Sequence, residues 1–248
     1  MKHVVNRWFC AAALLAASSV ALAAEGAHWG YEGEAGPERW GSLAPEYGLC
    51  SSGKNQSPVN IKSVADAKLP ILRFDYKSSV TEVLNNGHTI QANFAPGSIL
   101  HVGTRAFELK QMHFHVPSEN QIQGKEFAME GHLVHQSNEG QLAVVAVMFT
   151  PGKARSGIAR IWKQMPEQAG SAVPFEGQLT ANALLPRKRG YYYFSGSLTT
   201  PPCSEGVSWI VMKQPVQSSE AQFRQFSEVM HHPNNRPIQS LNARIVVD

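Results

Sequence analysis

The chain has 248 residues, 43% of them hydrophobic and 17% charged, with a formal net charge of +3. That length supports one domain with a sizeable core and does not demand two. Two of the positive charges, Lys2 and Arg7, sit at the N-terminus and no basic stripe comes after them, which argues against nucleic acid as a partner.

The first element in chain order is a leader. Lys2 and Arg7 make a positive n-region, Trp8 to Leu15 begin an apolar stretch, and Ala21-Leu22-Ala23 places small residues at an A-x-A cleavage site. The pattern predicts a secretory signal peptide over residues 1–23, cut after Ala23, and an exported domain over 24–248. The apolar run is short for a bilayer span, so no membrane anchor is expected after cleavage. The expected location is the periplasm, or the medium if export continues. Cleavage removes Cys10 and leaves Cys50 and Cys203, an even pair bound for an oxidising compartment. They either form a bridge, closing a loop of roughly 150 residues worth about 4–5 kcal/mol, or remain two free thiols.

His28 to Pro45 is rich in Gly, Trp and Pro with little periodicity, and reads as a segment wrapping the surface. From Leu69 onward, short apolar or alternating runs recur between turn signals such as Asn85-Asn86-Gly87 and Ala95-Pro96-Gly97. Leu142 to Phe149 is nearly continuous and β-branched, as in a strand buried on both faces. Tyr191 to Phe194 and Val207 to Met212 read as further strands. Helices are predicted over Ser156–Met165 and Ser219–Met230, the second with Ser219 and Gln222 in capping-box spacing. Many strands with few helices indicate one mainly-β (α+β) domain on one large sheet.

Within this pattern lie His113 and His115, two apart in the alternating run Gln111-Met112-His113-Phe114-His115-Val116, and then His132 in Glu130-Gly131-His132-Leu133-Val134. Residues i and i+2 of a strand share a face, so the first two imidazoles point together. If the second run is the neighbouring strand, three neutral imidazoles can converge and leave a fourth position open, the arrangement of a catalytic zinc site. The alternative is unrelated core or surface histidines. Gln111 and Glu130 each stand two residues before a candidate ligand, where they can hold the second ring nitrogen.

With these landmarks the sequence resembles an α-class carbonic anhydrase from His28-Trp29-Gly30-Tyr31 almost to the C-terminus. The resemblance is carried by Gln56-Ser57-Pro58-Val59-Asn60-Ile61, Asn85-Asn86-Gly87-His88, Gln111 to His115 and Glu130 to His135. Further on come Gly196-Ser197-Leu198-Thr199-Thr200-Pro201-Pro202-Cys203 and Asn235-Arg236-Pro237. Val116-Pro117-Ser118-Glu119-Asn120 and the Cys50/Cys203 pair are similar to the bacterial, exported branch.

The resemblance implies a large twisted central sheet, mixed but mostly antiparallel, with short peripheral helices. It implies reversible hydration of CO₂ to bicarbonate and a proton, by attack of zinc-bound hydroxide on CO₂. His113, His115 and His132 would hold Zn²⁺, which suits a three-histidine site better than cobalt or iron. Thr199 would accept a hydrogen bond from the hydroxide and donate its own proton to Glu119. His88 would carry the proton out, a task suited to a group titrating near neutrality, with Tyr31, Asn86 and Gln91 ordering the waters between. Val134, Val144, Leu198, Val207 and Trp209 would form the apolar substrate wall, with Thr199 and Thr200 beside it. The only partner implied is the small-molecule substrate, and the protein would be a monomer or homodimer. Competing functions are a non-catalytic binding protein on the same fold, opposed by the complete His113/His115/His132 set with Thr199 and Glu119, and a zinc-storage protein, opposed by the lack of a His-rich loop. A dedicated ester hydrolase would need a larger acyl pocket.

Overall fold

A computed structural model describes residues 27–248; the signal peptide predicted over 1–23, with Cys10, lies outside the described residues. The alternating segments form strands β1 (Val80–Asn85), β2 (Ile90–Phe94), β3 (Arg105–His115), β4 (Met129–Gln136), β5 (Leu142–Pro151), β6 (Tyr191–Ser197) and β7 (Glu205–Met212). They lie side by side in the order β1-β2-β3-β4-β5-β7-β6, within a sheet of thirteen strands among the described residues. Only β5 and β7 run parallel in this central series; every other neighbouring pair is antiparallel. The sheet is therefore mixed and mostly antiparallel.

Strand β5 shows why the sheet needs cover on both sides. Val145, Val147 and Phe149 enter one hydrophobic core, and Val144, Ala146 and Met148 the other. A strand with no polar face is stable only between two apolar layers. The first core is closed by helices α3 (Ser156–Trp162) and α4 (Glu220–Met230), which contribute Ile158, Ile161, Phe223 and Phe226. Ser219 caps α4 reciprocally with Gln222, as the spacing predicts. Helix α3 stops three residues short of the predicted Met165. Its end tightens into i to i−3 bonds, Gln164 N to Ile161 O at 3.0 Å and Met165 N to Trp162 O at 3.2 Å, because Pro166 disfavours helical backbone at the residue before it.

The segment from His28 to Pro45 does more than wrap the surface. It holds the short helix α1 (Trp40–Leu43), and a second, α2 (Leu49–Ser52), follows it; α1 buries Trp40 completely, its indole N–H donating to Gly30 O at 2.8 Å. Trp40 packs with Tyr47 and with Cys50 and Cys203, which are bridged. Among the described residues no helix is long and apolar enough to cross a membrane.

Candidate metal centre

The phase of strand β3 changes once, and that change exposes the histidines. Phe107 and Leu109 point into the first core; so do Met112 and Phe114. Odd residues give way to even ones across a bulge between Leu109 and Gln111, where the register against β4 shifts. A bulge inserts one unpaired residue and re-aims the side chains beyond it. Gln111, His113 and His115 are thereby turned to the opposite face. On β4, His132 pairs with His113 and Glu130 with His115, so all four side chains share that face.

The three imidazoles converge, with ring centroids 5.1 Å apart for His113 and His115, 5.2 Å for His113 and His132, and 4.6 Å for His115 and His132. One nitrogen of each is committed to an oxygen: His113 Nδ1 to Gln111 Oε1 at 2.9 Å, His115 Nδ1 to Asn234 O at 2.7 Å, and His132 Nε2 to Glu130 Oε1 at 2.9 Å. Each such nitrogen donates, so the lone pair lies on the other. Those remaining nitrogens, Nε2 of His113 and His115 and Nδ1 of His132, face one another. His115 Nε2 is buried without a hydrogen-bond partner, and the three residues offer ligand atoms within 4.8 Å of one another. Burial lowers the pKa of His115 and holds those of His113 and His132 well below the ordinary value, which keeps the imidazoles neutral as ligands must be. The donor set fits a zinc ion: three neutral nitrogens, fixed in tautomer, with one side open.

Glu130 is fully buried and receives the N–H groups of Glu119 at 2.8 Å and Asn120 at 2.7 Å. Burial pushes its carboxyl up to about 7, against the Asn120 hydrogen bonds. Burial also pushes Glu119 up to about 8, opposed by the Arg236 N–H at 2.9 Å and by the Thr199 hydroxyl. Glu119 Oε2 stands 3.5 Å from His115 Nε2 and lacks a hydrogen-bond partner of ordinary length. Thr199 is buried beside it, in a turn closed by Cys203 N donating to Thr200 O at 2.9 Å.

A cavity of about 130 Å³ opens over the site and is lined by His113, His115, Thr200, Tyr31, Asn86, His88 and Gln91, among others. Larger hollows of about 620 and 460 Å³ lie elsewhere on the surface without convergent histidines. His88 stacks on Trp29, centroids 3.7 Å apart and planes 9° from parallel. Its pKa is lowered by partial burial and then by His28 and His232, two histidines to which the sequence assigned no role. Asn86 Oδ1 is occupied by the His88 and Thr89 N–H groups, both at 2.9 Å, and Gln91 donates to Asn93 Oδ1 at 2.7 Å. Val144, Val207 and Trp209 belong to the second core, with Val134 and Leu198 packed against it. Trp209 meets His132 edge-on at 4.9 Å, which brings that apolar wall to the edge of the three-histidine cluster. The sequence pattern gave no role to Trp29, Thr89, Asn234 or the Arg236 side chain, whose contacts to His88, Phe114, Val116 and Gln56 join positions distant in sequence.

Three fixed, neutral imidazoles on adjacent strands, open toward a cavity, define a mononuclear metalloenzyme on a mainly-β scaffold. The family model of the eukaryotic-type carbonic anhydrases matches residues 35–248. The carbonic anhydrase of Neisseria gonorrhoeae is 49% identical over 238 residues, covering 95% of this chain and 94% of its own. That of Pectobacterium carotovorum is 48% identical over 236 residues, covering 95% and 97%. Among solved structures, the α-carbonic anhydrase of Thermovibrio ammonificans in complex with the inhibitor sulfanilamide superposes with a TM-score of 0.88 at 46% identity, covering 90% of this chain and 100% of that one. The chain belongs to the eukaryotic-type carbonic anhydrase family.

Proposed function

We propose that His113, His115 and His132 hold the zinc ion of a carbonic anhydrase and that Thr199, Glu119 and His88 serve the reaction around it. The reaction is the zinc-dependent, reversible hydration of CO₂ to bicarbonate and a proton. The observation that carries the site assignment is the buried, unpartnered His115 Nε2 facing the free nitrogens of two other tautomer-locked histidines. Zinc, when bound, supplies the Lewis acidity that makes water a nucleophile at neutral pH, an effect for which carbonic anhydrase is itself the reference case.

The protein's own groups do the rest. Thr199 commits its proton to Glu119, so that only lone pairs face the reacting water. Glu119 accepts that hydrogen bond through a carboxyl oxygen, and the Arg236 N–H bond favours its ionised form against the burial that raises its pKa. CO₂ carries no charge to grip, so Val134, Val144, Leu198, Val207 and Trp209 receive it by apolar contact, with Thr200 at the mouth. Tyr31, Asn86 and Gln91 order water toward His88, which takes the proton at the rim. A lowered pKa leaves His88 neutral and ready to accept near pH 7. We further read residues 1–23 as a cleaved signal and the periplasm as the site of action, supported by the leader pattern and by the Cys50–Cys203 bridge.

The test is stopped-flow CO₂ hydration by the purified protein, before and after zinc is stripped and restored. Activity lost and regained with zinc, and absent in His113→Ala, is the expected result. A folded, zinc-loaded protein without activity would overturn the catalytic roles.

A further inference from the structure

The hairpin that carries His88 and the strand that carries His113 and His115 part company near the site. Their ladder pairs run only from Asn93–Gln111 to Gln91–His113. Beyond that point, where His88 and Thr89 approach Phe114 to Val116, other groups must hold them. One is the carboxamide of Asn234, which is completely buried in the segment after α4. Its Nδ2 donates to His88 O at 3.0 Å and to Phe114 O at 2.9 Å, and its Oδ1 accepts from Val116 N at 2.8 Å. Both amide donors are thereby used. The Asn234 backbone oxygen meanwhile receives His115 Nδ1 at 2.7 Å. Thr89 adds a second fastening, its hydroxyl donating to Phe114 O at 2.6 Å and accepting from Phe114 N at 3.1 Å.

We propose that Asn234 is a positioning residue for proton export: its carboxamide, helped by Thr89, locks the His88 hairpin to the ligand strand so that His88 keeps a fixed offset from His115. The proposal rests on the reading of His88 as proton carrier. Asn234→Asp is the informative change, because it keeps the shape and the acceptor oxygen but replaces both donors with an oxygen facing two carbonyls. The hairpin tip then loses its anchor at His88 O and keeps only the Thr89 fastening, and His88 shifts on the face of Trp29.

Four zinc-loaded proteins are compared, the parent, Asn234→Asp, Thr89→Val and His88→Ala, each in weak buffer and in imidazole buffer. The His88 Hε1 proton resonance is also followed with and without zinc. For Asn234→Asp, kcat in weak buffer falls on the order of tenfold, by more than kcat/KM falls, and imidazole restores it. Its His88 resonance shifts as the Trp29 ring current on it changes, in the zinc-stripped protein as well. Equal losses in kcat and kcat/KM without imidazole recovery, or an unmoved His88 resonance, would overturn the proposal. Should Asn234→Asp not fold, Thr89→Val carries the test: the same split, smaller in size, supports the lock, and a parent-like kcat and resonance refutes it. A slow His88→Ala beside a normal Asn234→Asp sinks the positioning role alone. A normal His88→Ala in weak buffer sinks the proton-carrier reading and this proposal together.

Discussion

His113 and His132 face each other directly across the β3–β4 pair, their ring centroids 5.2 Å apart and their planes 88° to one another. That pairing depends on what lies behind it. Phe114 pairs with Gly131, and there the two strands share the first core rather than the metal face. The ligand geometry is therefore set by packing on the side of the sheet where no chemistry occurs.

Gly131→Ala tests this dependence. A Cβ at Gly131 would sit 2.5 Å from Met112 Cε, 3.3 Å from Phe149 Cε2 and 3.4 Å from Phe114 Cδ1. Met112 is completely buried, so its flexible end has little room to yield. Overpacking of this kind costs about 1–3 kcal/mol, and here it also pushes His132 away from His113. Urea unfolding and zinc affinity should both weaken. Parent-like values for both would show that the core can absorb a methyl group without moving the ligands.

How much of this was legible in the sequence varies from element to element. The His113/His115 spacing placed two imidazoles on one face because strand alternation is a local property. The two-sided burial of Leu142 to Phe149 and the Ser219/Gln222 cap were equally local. The bulge was written as a break in phase between Phe107/Leu109 and Met112/Phe114, a signal that single-strand reading passes over. Asn234 was not legible at all. Its partners lie 118 to 146 residues away, and its role comes from a carboxamide and a carbonyl that any loop asparagine possesses. The stack of Trp29 on His88 is hidden for the same reason.

His88→Ala should leave zinc bound, since His88 is not among the converging ligands, but slow turnover in weak buffer by on the order of tenfold or more. Small imidazole buffers should restore the rate by carrying the proton directly. The charges of His28 and His232 depress the His88 pKa after burial does. His232→Ala should therefore raise the His88 midpoint toward the ordinary value, which proton NMR reads directly. A midpoint that stays put would remove His232 from the rim electrostatics.

The bridge between Cys50 and Cys203 spans 153 residues and anchors the turn that holds Thr199. Gln56 Nε2 donates to Cys203 O at 3.0 Å, while the buried Arg236 guanidinium donates to Cys50 O at 2.9 Å and to Gln56 Oε1 at 2.9 Å. Replacing both cysteines by serine should lower stability by about 4–5 kcal/mol on the chain-entropy view, seen as a lower urea midpoint. Activity should fall further than zinc content, because the turn carrying Thr199 loosens while the ligand strands do not. Zinc and activity lost in equal measure would place the damage in the sheet instead.

His135, on the opposite face of β4 from His132, gives the fold a pH dependence of its own. It is completely buried, with Nδ1 donating to Ala143 O at 3.2 Å and Nε2 accepting from the Tyr76 hydroxyl at 2.6 Å. Both nitrogens are satisfied only in the neutral ring. Burial pushes its pKa down to about 4, against the pull of the Ala143 and Leu133 carbonyls. Above the unfolded value of about 6.5 neither state binds the proton and the contribution to stability is complete. As the pH falls from there toward 4 the unfolded chain takes up a proton that the folded chain refuses, so stability drops. The loss reaches about 3 kcal/mol once the pH is below both values. His135→Phe removes that proton site, at the cost of unpartnered groups on Tyr76 and Ala143. Urea unfolding from pH 8 to pH 4 should then show the parent's advantage over the variant shrinking across this window. Two stability curves that fall in parallel would mean that His135 is not the group responsible.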